Sequence, residues 1–224
     1  MPNPLSDWTE YQTSLSASTV NGVCLSQTPS AASDLTLNGS LVTRGVARLD
    51  TGQIGNNPAN IGRQVLFTFA GADASRTLTV YGTLVPGGNV VSEAVAGANT
   101  STSTSVNYFI TITRIVVDAA FAGAVQVGTN GVGASPWVLV KDRQNWFGLA
   151  VLTYNNGTVN WTIQHTGNNL LDPNVIPYAF DHSVIANKSS ATDGNYAFPP
   201  IGIRTKINSG TGTVTTELNG IIRG

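Results

Sequence analysis

The stretch Thr158-Val-Asn-Trp-Thr-Ile-Gln-His-Thr166 alternates without a break. Val159, Trp161, Ile163 and His165 fall on one face, and Thr158, Asn160, Thr162, Gln164 and Thr166 on the other. A period of two with one apolar face and one hydroxyl or amide face is the pattern of a half-buried β-strand. Just upstream lies Asn155-Asn156-Gly157. Its Asn-Gly pair favours the two-residue turn of a hairpin, so Trp146 to Tyr154 and Thr158 to Thr166 are predicted to fold back on one another.

The same reading extends in both directions. Strands are expected at 35–37, 41–49, 64–70, 76–84, 89–95, 106–118 and 124–128, with Gly, Asn and Pro between them. Pro86-Gly87-Gly88 reads as a hairpin turn, with Pro setting one corner and Gly free to take positive φ at the next. Along Tyr108 to Val117 the alternation slips, because Ile110 and Ile112 share one parity while Ile115 and Val117 take the other. A bulge or a sharp bend is expected there. Gly-rich Thr129 to Ser135, followed by Pro136, is the best boundary between two lobes. After the second lobe's first strands comes a long irregular segment, 167–200, broken by Pro173, Pro177, Pro199 and Pro200. The chain closes with 201–208 and 213–221, which read as a terminal hairpin through Ser209-Gly210. No amphipathic helical window is present.

The expected class is therefore all-β, with two β-sandwich lobes of jelly-roll or Ig-like type at 35–130 and 136–224. Residues 1–34 form an extended N-terminal arm anchored by Trp8 and Tyr11, and the 167–200 loop belongs to the second lobe.

Composition narrows the function. Charged residues make up 10% of the 224, against about 25% in an average soluble protein. The 11 basic and 12 acidic residues give a formal charge of -1 with no run of either sign, which argues against nucleic-acid and anionic-membrane partners. Cys24 is the only cysteine, so an internal disulfide and a multi-cysteine zinc site are excluded, and a small buried hydrophobe is its expected role. Met1 to Gln12 has neither the basic nor the apolar region of a secretory signal.

Chemistry-bearing patterns are sparse. His165 and His182 are the two histidines, and neither has a partner at metal-ligand spacing. Asp181-His182-Ser183 spells a triad, but consecutive side chains cannot form the relay. An enzyme would have to join a histidine to a distant carboxylate such as Asp172 or Asp181. Gly128 to Gly133 lacks the dinucleotide spacing and a following helix, and Asp193-Gly194-Asn195 reads as a turn rather than a calcium cage. No catalytic, metal or cofactor-binding residue is assigned, and no cofactor is expected. Trp137, Trp146, Trp161 and Tyr154 cluster in the second lobe as core or as a sugar-stacking platform. The turn 141–145 lies between Trp137 and Trp146.

Leu35 to Gly39, Val65 to Phe69, Thr77 to Gly82, Tyr108 to Val117 and Val125 to Gly128 together follow a pattern that resembles structural proteins of tailed-bacteriophage virions. Thr158 to Thr166, Asn195 to Pro199 and Ile203 to Thr215 resemble the C-terminal portion of the same proteins, so the likeness spans most of 35–222. It implies a non-enzymatic virion protein assembled in the host cytoplasm, with decoration or cementing of the capsid shell preferred over a neck, tail or baseplate position. The implied partners are further copies of itself, a trimer being one closed form, and the major capsid protein. A carbohydrate- or host-binding module is the alternative of another class. The expected interface residues are Trp8, Tyr11, Trp137, Trp146, Tyr178 and Tyr196.

Overall fold

The computed structural model describes residues 8–49, 53–54, 57–58, 60–140, 146–172 and 174–222. The protein is all-β, with no helix among the described residues. The chain forms two compact bodies, one of residues 16–133 and one of residues 1–15 with 134–224. Strand β1 (Trp8–Ser14) belongs to the second of these.

The body of residues 16–133 is built from β2 (Cys24–Gln27), β3 (Ser33–Asp34), β4 (Val42–Thr43), β5 (Val46–Arg48), β6 (Gln53–Ile54), β7 (Asn57–Pro58), β8 (Gly62–Phe69), β9 (Thr77–Thr83), β10 (Val91–Ala96), β11 (Thr102–Thr104), β12 (Thr111–Val117) and β13 (Val125–Ala134). One sheet runs β10-β9-β12-β5-β4 with β3 beside β12, and β11, β8, β13 and β2 pair side by side in another. Val65, Phe67, Phe69, Val125 and Val127 from one layer meet Leu78, Val80, Ile112, Ile115 and Val117 from the other in a single core. That interleaving makes the body a sandwich.

Its local signals behave as the residues suggest. Gly88 N–H donates to Val85 O at 3.1 Å with Gly87 at φ 66°, which closes the β9–β10 hairpin at Pro86-Gly87-Gly88. The β12–β9 register slips between Ile112 and Arg114, so Thr113 is the bulge residue, and Ile112, Ile115 and Val117 all stay buried. Arg114 then reaches Asp34 at 2.9 Å from the solvent side. Arg63 is buried, and its guanidinium donates to Ser16 O at 3.0 Å, to Ser16 Oγ at 3.1 Å, to Ala17 O at 3.3 Å and to Asn130 O. The single strand expected over 41–49 is instead a tight hairpin, β4 and β5 turning through Arg44 at φ 53° and Gly45 at φ 77°.

The other body contains β14 (Val138–Leu139), β15 (Trp146–Thr166), β16 (Phe180–Asp181), β17 (Thr192–Tyr196) and β18 (Gly202–Ile222). Here the structure overturns two expected hairpins. Residues 146–166 form one 21-residue strand and 202–222 another, and they pair antiparallel from Trp146↔Ile222 to Thr166↔Gly202. The Asn155-Asn156-Gly157 and Ser209-Gly210 turns are therefore absent, and the long segment 167–201 is the connection of one large hairpin. Gly157, Gly210 and Gly212, at φ 96°, 90° and 143°, serve the ribbon in another way. A methyl group at Gly210 would run into the Thr158 carbonyl of the facing strand, so bare backbone permits the close approach.

A bulge fixes which face points inward. Asn160 pairs with Ser209 but Trp161 with Ile207, so Asn208 is the extra residue. Its amide donates to Asn160 Oδ1 at 2.7 Å, Thr162 Oγ1 at 2.9 Å and Asn187 Oδ1 at 3.2 Å. The change of parity puts Ile203 and Ile207 on one side of it, and Val214 and Leu218 on the other, into the same core as Leu149, Val151, Trp161 and Ile163. β1 pairs along Thr213–Asn219 and β14 along Gly202–Ile203. Residues 8–14, expected as arm, are thus strand, and Cys24–Gln27 pairs with β13.

Gly210→Ala is expected to lower the unfolding free energy by roughly 2 kcal/mol, the scale of backbone strain at positive φ with a clash added. Urea denaturation followed by tryptophan fluorescence checks it, and an unchanged midpoint would contradict the tight crossing.

Candidate functional site

The described side chains with the most distinctive chemistry gather where the 167–201 connection returns along the free edge of β15. Its course is set by backbone pairing. His182 N–H donates to Ile163 O at 2.8 Å, Ile163 N–H to Ile185 O at 2.8 Å, and Trp161 and Lys188 exchange two bonds of 2.8 Å. β16 pairs at Gln164 and His165, and β17 at Leu149 to Thr153. Ile185, fully buried, joins the core that Trp161 anchors.

His182 holds the middle of this segment. Its ring is buried, and Nδ1 accepts the backbone N–H of both Val184 and Ile185 at 3.1 Å. An acceptor cannot carry the proton, so the proton sits on Nε2, which donates to Asn195 O at 3.3 Å. Burial pushes the imidazole below its ordinary pKa, with the Asn195 carbonyl pulling weakly the other way. The Tyr196 ring meets it edge-on at 4.7 Å. Gly194 makes the room, since a Cβ there would lie 2.7 Å from His182 Cε1. Asp193-Gly194-Asn195, read from sequence as a turn, is instead strand, paired with Ala150 to Leu152.

From Tyr196 a row of rings runs outward. His165 lies 5.1 Å from Tyr196 and 5.7 Å from Phe180, and Phe180 lies 4.9 Å from Tyr178. Burial first, then the neighbouring His182, lowers the pKa of His165, while Asp181 opposes the shift. A cavity of about 390 Å³ opens beside this row, lined by His165, Phe180, Phe198, Pro199, Pro200 and Ile201 among others. Its lining is apolar and exposed at Phe180, 53% accessible, and Phe198, 78%, and Tyr178 beside Phe180 is 68% accessible. Leu171, Ile176 and Val184 on the same connection are also exposed.

The six expected interface residues separate. Tyr178 is exposed beside Phe180, and Tyr196 packs edge-on against His165 and His182, with burial raising its phenol pKa. Tyr11 points inward instead. Its hydroxyl accepts from Thr205 Oγ1 at 3.2 Å, and burial pushes it up to about 12. Trp137 is half-buried beneath the Arg204 guanidinium at 4.4 Å. Trp8 and Trp146 are described only as strand backbone, and the 141–145 turn lies outside the described residues. Trp161 is fully buried, and Tyr154, 42% accessible, donates its hydroxyl to Glu217 at 3.0 Å. Phe180 and Phe198, absent from the sequence-based set, are its main omission.

The remaining motifs also find places. Asp181 accepts from Gln164 Nε2 at 2.7 Å, so Asp181-His182-Ser183 forms no relay. Thr129 to Gly133 lies within β13 and not in a phosphate-type loop. Cys24 is buried in the core of its body, its thiol pushed up to about 12 by burial. No group of three or more potential metal ligands occurs among the described residues. Nor is any helix there long and apolar enough to cross a membrane.

The chain matches no protein-family model and no curated protein sequence.

Gly194→Ala is expected to displace the His182 ring and lower stability by about 1–3 kcal/mol, the usual cost of overpacking a closed site. Thermal unfolding together with the shift of the His182 imidazole resonances checks it. A change in stability without movement of those resonances would contradict the packing described.

Proposed function

We propose that the protein is a non-enzymatic structural subunit that works by contact with its neighbours in a repeating assembly. The observation that carries this reading is the apolar surface of the 167–201 connection, where Leu171, Ile176, Tyr178, Phe180, Val184 and Phe198 are each between 49% and 78% accessible. Phe180 and Phe198 line one cavity and Tyr178 packs on Phe180 at 4.9 Å, and apolar exposure gathered in this way marks an interaction surface. The hydroxyl- and amide-rich remainder, with only 10% charged residues, has little charge to desolvate when it meets another protein face.

The resemblance of residues 35–222 to tailed-phage structural proteins supports a virion as that assembly, and a small, weakly charged, β-rich subunit suits capsid decoration. In such a lattice each contact is repeated, so modest individual affinities accumulate. Further copies of this chain and the major capsid protein are the proposed neighbours. A neck, tail or baseplate position would use the same surface at lower copy number. For the carbohydrate-binding alternative, Trp161 is buried and Trp137 lies under Arg204, while Tyr154 is exposed and the Trp146 side chain lies outside the described residues.

The test is cryo-electron microscopy of particles from the source, with mass spectrometry for this chain. Many copies on the outer shell are expected, a single ring at the neck or tail would move the position, and absence from particles would overturn the reading. With purified shells, the triple variant Tyr178→Ser, Phe180→Ser, Phe198→Ser is expected to bind at least roughly tenfold more weakly, as removal of aromatic anchors does. Unchanged binding would remove this surface from the contact.

A further inference from the structure

His182 does in this fold what an Asn or Asp does in a capping turn: one side-chain acceptor takes the backbone N–H groups two and three residues on, at Val184 and Ile185. The difference is that an imidazole titrates near neutrality. A proton on Nδ1 would face two N–H donors that already point at it, and all three would be donors with no acceptor between them. The ring has nowhere to turn. Cε1 is set against Gly194, the Tyr196 ring stands edge-on at 4.7 Å, and Nε2 is committed to Asn195 O.

We propose that His182 is an acid-released latch: as a neutral ring it ties residues 181–185 to the edge of β15, and on protonation it lets that stretch go.

The groups around it do not offset the cost of a charge there. β15 presents His165, itself a base. β17 presents Tyr196, and Asp193 on that strand is exposed. On its own strand Asp181 is engaged with Gln164. Release would break the His182 N–H to Ile163 O bond and the Ile163 N–H to Ile185 O bond, and would draw Ile185 out of the core. The sign follows from the direction of the shift. His182 binds its proton less readily folded than unfolded, so the latch is fully closed above the ordinary histidine value of 6.5 and weakens as pH falls below it.

The test uses the full chain in solution. Nitrogen-15 spectra of the imidazoles at pH 7.5 are expected to show His182 with its proton on Nε2, and the Nδ1-protonated form there would overturn the latch without any variant. Hydrogen exchange, corrected for the intrinsic rate, is then followed at Val184 and Ile185 from pH 7.5 to 5. Protection in the wild-type chain is expected to fall as pH drops below 6.5, by at most about tenfold per pH unit, the limit that linkage to one proton sets. His182→Asn keeps an acceptor that does not titrate and is expected to hold its protection constant, while His165→Gln follows the wild type. An equal loss of protection in His182→Asn, or its disappearance in His165→Gln, would overturn the latch.

Discussion

Most of the body that carries the candidate site takes its register from one constraint, the end-to-end pairing of β15 with β18 over 21 residues each, interrupted only by bulges. Side chains on a strand alternate, so a ribbon of that length serves one core only if the same parity points inward at both ends. The facing strands meet that condition by an insertion. Asn208 is the residue that changes the parity of β18, and without it either Ile203 and Ile207 or Val214 and Leu218 would face away from Trp161 and Leu149. The insertion leaves an extra polar side chain, and three acceptors on β15 and the returning connection satisfy its amide. β1, β14, β16 and β17 then add to a frame already aligned.

How much of this was legible depended on whether the signal was local. The period-two faces of Thr158 to Thr166 and of Thr77 to Thr83 were readable because burial on one side of a sheet writes itself directly into the sequence. The bulge in β12 was readable because Ile112 and Ile115 differ in parity. Asn156-Gly157 misled for the opposite reason. Asn-Gly states a capacity for positive φ, and the ribbon uses that freedom for close strand crossing rather than reversal. Conversely, Arg44-Gly45 does reverse the chain, with Arg in a conformation that its residue type does not advertise.

The candidate site was the least legible part. Its surface comes from a long connection whose path is decided by which edge of β15 lies free, and that depends on pairings between residues far apart in sequence. Tyr178 was named from the sequence and is exposed, whereas Phe198, beside Pro199, sits among the prolines that read as breakers. The role of His182 was hidden behind a three-letter coincidence with Asp181 and Ser183. Gly194 was the missing clue, and only the structure brings it against the imidazole.

The pairing of β1 with β18 bears on the order in which the chain acquires its structure. Ser14 is matched to Thr213, so about two hundred residues must be synthesised before the strand finds its partner. At a translation speed of 5–20 residues per second that is a wait of roughly ten to forty seconds. During it the whole body of residues 16–133 emerges from the ribosome and has time to fold, while β1 remains an unpaired strand with both edges open. The sparse apolar content of Trp8–Ser14, alternating Thr, Glu, Gln and Ser around Tyr11, suits a segment that must stay unattached for that long without aggregating.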